Sequence, residues 1–277
     1  MELRAQAPKP PLTRLGEQDA ERRREAALGS DFSEALARGL RVLVAFNAGH
    51  RSRSLSELAA AVGLPRATAR RALLTLQALG YVEAEGRQFR LTTRVLRLAS
   101  AYLTSNVVST LLQPVCDRIA REVGQSCTAA VLEGGEAVMV ARALPAELVP
   151  AGMGIGYRLP AYCSALGRVL LSGLPEQELA TYLATAELAP ITARTRTAPG
   201  EIRAAVAQAR RDGFCYSDGE AEQGFRSVAI PLRRFDGMVV AALNIGSRAE
   251  TTDRALMTGR YLDVLREAAS GLTGLLA

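Results

Sequence analysis

The stretch Pro160–Gly173, PAYCSALGRVLLSG, places Cys163 and Ser164 at the expected start of a helix. Backbone N–H groups and the helix dipole at such a start lower a thiol pKa and hold an anion, so the pair reads as a nucleophile or as one wall of an anion pocket. A nucleophile of this kind needs a base within hydrogen-bond reach. The chain has one histidine, His50, which lies beside Arg51 and Arg53 in a different part of the sequence. Asp218 or Glu220 alone is a poor base for a thiol. No catalytic residue is assigned, and the expected role of the segment is to hold an anion. Cys116, Cys127, Cys163 and Cys215 show no CxxC or other ligand spacing, so neither a metal site nor a cofactor is expected.

The elements that position this segment belong to a chain of 277 residues, long enough for two domains with separate cores. No apolar run approaches the roughly 18 residues of a membrane span. The first thirty residues mix charges and prolines and lack the apolar core of a signal peptide, so a cytoplasmic protein with no membrane partner is expected. Residues 1–30, with their APKPP run, read as a disordered tail. Charge is unevenly placed. Residues 31–105 carry 11 basic and 5 acidic groups, a net +6, whereas residues 106–277 carry 17 and 18, a net −1. A basic module joined to a near-neutral one suggests a nucleic-acid reader attached to something else.

In the basic module, Phe32, Leu36, Leu40, Leu43 and Phe46 recur at helical spacing, with Asp31 or Ser33 available as cap. A second helix starts at Ser54, turns Leu55, Leu58, Ala59 and Val62 inward and stops at Gly63. A third runs from Pro65 to Gly80 with Ala69, Ala72, Leu73 and Leu76 inward. Two helices across a Gly-Leu-Pro turn, followed by the hairpin YVEAEGRQFRLT, make a winged helix-turn-helix over residues 31–92. Arg66, Thr68, Arg70 and Arg71 are expected at the major groove of double-stranded DNA, and Arg87 and Arg90 at phosphates or the minor groove. Residues 93–108 read as a linker helix, a place for subunit pairing into a homodimer or tetramer or for packing on its own domain.

Residues 109–277 alternate helical and strand patterns, economically an antiparallel sheet flanked by helices, so the whole chain is α+β. The segments GLPRATARRALLTLQALGYVE, RLPAYCSALGRVLLS and RDGFCYSDGEAEQGFRSVAIPLRRFDGMVVAALNIG occur in the order seen in a known family. Over residues 31–277 the chain resembles the IclR family of bacterial transcription regulators, closest to the branch containing PcaR, PcaU and PobR, which regulate aromatic-acid and β-ketoadipate catabolism. The resemblance implies a GAF-like effector-binding domain at 109–277. It implicates Leu148, Leu159, Ala165, Leu166, Ser217, Ser227, Asn244 and Gly246 in the effector pocket. Tyr162 reads as a stacking or hydrogen-bonding group there, or as a core tyrosine. Arg142 and Arg158 are available to add a cation, or sit on the surface. The chain departs from the family in having Arg233 and Arg234 after the SVAIP strand and a thinned acidic loop of Ser217, Asp218 and Glu220. The expected function is a regulator sensing a small organic acid, aromatic or dicarboxylic. The alternatives are a ligand-independent architectural DNA binder and, less favoured, a Cys/Ser enzyme fused to a DNA-binding module.

Overall fold

The computed structural model describes residues 29–46, 50–145, 154–272 and 275–276, so Leu148 and residues 1–28 of the expected tail lie outside the described residues. The chain divides into two compact units between Leu103 and Thr104. Each unit has its own core.

The first unit contains α1 (Glu34–Val44), α2 (Leu55–Val62) and α3 (Arg66–Ala78), followed by α4 (Leu96–Ser105). Its small sheet has the order β1 (Ser52–Ser54), β3 (Gln88–Leu91), β2 (Val82–Glu85), all antiparallel. The wing therefore has one strand more than the expected hairpin, because β1 pairs with β3. Ser54 and Glu57 cap α2 reciprocally, each accepting from the other's backbone N–H. Gly63, at φ 64°, adopts the left-handed conformation that ends α2 and redirects the chain into α3. Val42, Phe46, Leu58, Leu73 and Val82 form the core. The apolar stripe of α1 is oriented differently from expectation. Leu36 and Leu40 are 63% and 51% exposed while Val42 is fully buried, because α1 meets α2 and α3 through the Val42, Ala45 and Phe46 side. Ser33 occupies the cap position of α1 without a side-chain bond.

The second unit is built around a six-stranded antiparallel sheet. Its order is β6 (Arg158–Pro160), β5 (Glu136–Ala143), β4 (Ser126–Glu133), β9 (Val239–Arg248), β8 (Phe225–Arg233), β7 (Cys215–Asp218). The helices are α5 (Val107–Val123), α6 (Ala165–Ser172), α7 (Glu176–Thr185), α8 (Pro199–Asp212), α9 (Arg254–Leu256) and α10 (Leu262–Ser270). Strand alternation assigns the two faces. Cys127, Ala129, Val228, Leu243 and Ile245 pack with Leu112 and Ile119 of α5 and Leu262 and Leu265 of α10. On the other face Ala130, Ala229 and Ala242 meet Ala165, Leu166, Val169 and Leu170. Alanines on this face let α6 approach closely, and every residue of α6 is buried. The last helical pattern is not one helix: a π-turn over Met257–Tyr261, with Gly259 out of helical conformation, separates α9 from α10. Among the described residues no single helix is long and apolar enough to cross a membrane.

Candidate functional sites

Helix α3 presents Arg66, Arg70 and Arg71 as exposed side chains, with Ala69 and Leu73 on the opposite, buried side. None of these arginines makes an ion pair among the described residues, so their charge is available to an anionic partner. Thr68 is half-buried, and with Arg71 it lines an apolar groove of about 640 Å³ between α1 and α3. Arg87 stands exposed beside the wing-tip turn, where Gly86 has φ 60°. Arg90 is differently engaged. It faces Glu83 across the β2–β3 ladder, with Nε 2.7 Å from Glu83 and Nη1 3.5 Å from Glu85, so two carboxylates offset its charge. Two positions did not stand out in the sequence. Leu74, 44% exposed, sits among the α3 arginines, an apolar surface of the type that meets thymine methyl groups. Arg53, in β1, is 7% exposed and its Nε is buried without a hydrogen-bond partner among the described residues.

The helix start in the second unit is built for structure rather than nucleophilic chemistry. Ser164 caps α6, its hydroxyl accepting from the Gly167 N–H at 3.0 Å and donating to the Pro160 carbonyl at 3.2 Å. Cys163 is fully buried, and that burial pushes its thiol up to about 12. A thiol so held is protonated at neutral pH, which removes it as a nucleophile. A Cβ at Gly167 would lie 2.2 Å from the Ala161 Cα, so the close turn Ala161–Cys163 requires glycine there. Tyr162 is 3% exposed, donates its hydroxyl to the Ala189 carbonyl at 2.5 Å and packs with Leu171, Leu179 and Ile202. The core-tyrosine alternative describes its surroundings: the hydroxyl proton is already used. Below the turn, Arg168 is 1% exposed, donates to both oxygens of Glu220 at 2.6 and 2.5 Å, and gives its Nε–H to the Tyr162 carbonyl. Burial opposes the Arg168 cation, yet the Glu220 bonds outweigh it and hold its pKa above the ordinary value.

Strand register gathers most of the other pocket residues. One row across the sheet reads Ser217, Ser227, Gly246, Ser126 and the next Ala229, Asn244, Thr128, Arg142. Each lies between residues of the opposite face, so the two rows share the side covered by α6, where Ala165 and Leu166 are buried. Ser217, Ser227, Asn244, Ser126 and Thr128 are all buried. Ser126 donates to the Gly246 carbonyl at 2.7 Å. The Oδ1 of Asn244 is buried and accepts no hydrogen bond among the described residues. Arg142 is half-buried, with burial lowering its pKa. Arg158 is committed elsewhere, to Glu136 at 2.5 Å and Glu133 at 2.8 Å. Leu159 is half-buried in β6, at the edge of the sheet. Gly246 has its own structural reason: a Cβ there would lie 2.5 Å from the Phe225 ring, which closes over it. Ser126, Thr128 and Phe225 escaped the sequence reading. The period of two in SCTAAVLE, small polar residues alternating with Cys127 and Ala129, was the signal for the first two. Arg233 and Arg234 decorate the β8–β9 turn, Arg233 donating to the Gly237 carbonyl and Arg234 paired with Asp236.

Comparisons with known proteins bear on both units. Residues 35–86 match the family described as IclR helix-turn-helix domain, and residues 100–273 match Bacterial transcriptional regulator IclR C-terminal. The Pca regulon regulatory protein of Pseudomonas putida is 37% identical over 243 residues, 87% of this chain and 84% of the relative. The p-hydroxybenzoate hydroxylase transcriptional activator of Acinetobacter baylyi is 32% identical, covering 88% of this chain and 92% of its own. Among solved structures, a candidate transcriptional regulator from Rhodococcus sp. RHA1 superposes with TM-score 0.77 at 41% identity, covering 88% of this chain and 98% of that one. An IclR homolog from Microbacterium hydrocarbonoxydans, complexed with 4-hydroxybenzoate, superposes with TM-score 0.73 at 27% identity, covering 88% and 99%.

Proposed function

Because the chain belongs to the IclR family of bacterial transcriptional regulators, with a helix-turn-helix domain that implies DNA binding, we propose that its second unit senses a small aromatic carboxylic acid and thereby controls a catabolic operon. The observation that carries this reading is the buried, unpartnered Asn244 Oδ1. A buried acceptor left unpaired costs about 1–3 kcal/mol, a cost that a ring hydroxyl donating to it removes. The likeness to a homolog complexed with 4-hydroxybenzoate and to regulators of Pca and p-hydroxybenzoate genes supports the same ligand class.

In this reading the ligand lies on the two polar rows. Its carboxylate takes the amides that head α6 at Ala165 and Leu166, Ser217, Ser227 and Thr128 orient it, and Arg142 adds positive charge. Leu159 and Leu166 contribute apolar wall. Residues 31–92 read DNA, with Arg66, Arg70, Arg71 and Arg87 as the groove and phosphate contacts. Residues 93–108 join them to the effector domain at 109–277. The exposed leucines of α1, Leu36 and Leu40, suit pairing of two copies on a pseudo-palindromic operator.

Calorimetry of the full chain with 4-hydroxybenzoate, protocatechuate and β-ketoadipate tests the ligand class. Binding of a hydroxylated aromatic acid that weakens by about tenfold or more in Asn244→Ala, with operator affinity in the absence of ligand unchanged, is the expected result. Binding that ignores Asn244→Ala and Ala165→Leu alike sinks the pocket assignment; binding of only a neutral or cationic compound sinks the acid.

A further inference from the structure

A second cavity, of about 500 Å³, opens at the free edge of the sheet between β7, α8 and the segment that carries Arg194 and Arg196. Its size falls within the range of small-molecule sites. It shares none of the residues of the polar rows: Ser126, Thr128, Ser227 and Asn244 are absent from its lining.

Four arginines and three carboxylates line it, but they are unequally engaged. Arg168 is held by Glu220, and Arg194 by Asp218 at 3.1 Å. Asp218 is also taken by Arg226 at 3.2 Å, so that carboxylate already answers two cations. Asp212 accepts from Gln208 at 2.6 Å. Two guanidiniums are left over. The Arg196 backbone N–H donates to Glu220 Oε2 at 3.3 Å, but its guanidinium comes no closer than 4.0 Å to that carboxylate, whose two oxygens Arg168 already occupies; Arg254 lies over the Tyr216 ring at 5.3 Å and meets no carboxylate among the described residues. The same lining includes the aromatic rings of Phe214 and Tyr216 and the small side chains of Ala205 and Ala209 of α8. Two guanidiniums, one weakly engaged and one without a carboxylate among the described residues, beside aromatic side chains suit a carboxylate on a planar body.

We propose that this edge cavity is a second ligand site, binding an aromatic carboxylate through Arg196 and Arg254 and communicating with the first site through the Arg168–Glu220 pair. The connection is physical. Glu220 forms the cavity floor together with Arg168, and Arg168 sits on α6 one turn after Ala165 and holds the Tyr162 carbonyl of the turn that leads into that helix. An anion drawing Arg196 away from Glu220 changes the field on that pair and the position of the helix start. The edge site depends on residues other than those of the effector assignment; only the communication rests on that assignment.

The test uses 3-fluoro-4-hydroxybenzoate, which keeps a ring hydroxyl for Asn244, as probe and fluorine NMR of the full chain. Two bound environments are expected. The double variant Arg196→Ala/Arg254→Ala should remove one and raise its dissociation constant about tenfold or more, and Asn244→Ala should remove the other. Both arginines are at the surface, so the variant should keep its thermal midpoint; Arg196→Gln, which retains the side-chain bulk, checks that charge is responsible. The neutral 3-fluoro-4-hydroxybenzamide should leave the arginine-dependent signal silent. A single environment abolished by Asn244→Ala and indifferent to the arginine variants overturns the proposal, as does the absence of any bound signal. If the Asn244-dependent environment alone is missing, the effector assignment fails and the edge site stands.

Discussion

The two units treat charge in opposite ways. In the first, Arg66, Arg70, Arg71 and Arg87 stand exposed and without ion pairs among the described residues. In the second, Arg158, Arg168 and Arg226 are bound to Glu136, Glu220 and Asp218, and two strand rows carry buried uncharged serines, a threonine and an asparagine, with Arg142 at the end of one. A surface that reads a polyanion must keep its cations solvated and unspent, because affinity comes from neutralising phosphates and releasing their counterions. A pocket that discriminates a small molecule gains more from buried, fixed polar groups, whose unmet hydrogen bonds penalise a wrong ligand. The wing qualifies the contrast: Arg90 and Glu83 pair across strands, and there the first unit treats charge as the second does.

The contrast is broken most severely at the buried ion pair. Glu220→Leu strands the Arg168 guanidinium beneath α6 and should destabilise the second unit by about 3–5 kcal/mol, whereas the double variant Arg168→Met/Glu220→Leu should recover most of that loss. Urea denaturation of the three proteins decides it; equal stability of the single and double variants refutes the argument. At the DNA face, Arg70→Ala and Arg71→Ala should weaken operator binding and flatten the dependence of log K on log salt by about 0.9 for each lost phosphate contact. Fluorescence anisotropy across a salt series measures the slope, and an unchanged slope would remove that arginine from the phosphate contacts. The smallest effect is expected at the wing. Arg90→Ala gives up an exposed cross-strand pair worth about 0–1 kcal/mol and a cation already offset by Glu83 and Glu85, so stability and operator affinity should both change little. A loss at Arg90 as large as that at Arg71 would show that DNA draws Arg90 away from Glu83.

Much of this was legible from residue type and spacing. Ser54 with Glu57 announced the start of α2, Gly63 its end, and both follow from backbone groups that only a side chain or a left-handed residue satisfies locally. The arginine face of α3 and the alternation of β4, β8 and β9 are periodic, so they could be read without knowing what lies opposite. The strands β1 and β7 were not anticipated, since three or four residues carry too little pattern and owe their conformation to the neighbour they pair with.

By itself, then, the sequence determined the local and periodic features: the helix-turn-helix with its free arginines, the antiparallel strands, the cap at Ser164 and the want of a base for Cys163. Tertiary structure alone decided what depends on partners distant along the chain. The side of α1 that is buried, the commitment of Tyr162 to Ala189 and of Arg158 to Glu136, and the pairing of Arg168 with Glu220 all join residues from different elements. So do the rows that place Arg142 and Thr128 beside Asn244. Burial and hydrogen-bond satisfaction are properties of surroundings. An asparagine or arginine has the same chemistry at any position in the chain, and only the packed neighbours determine whether that chemistry is used up or left for a ligand.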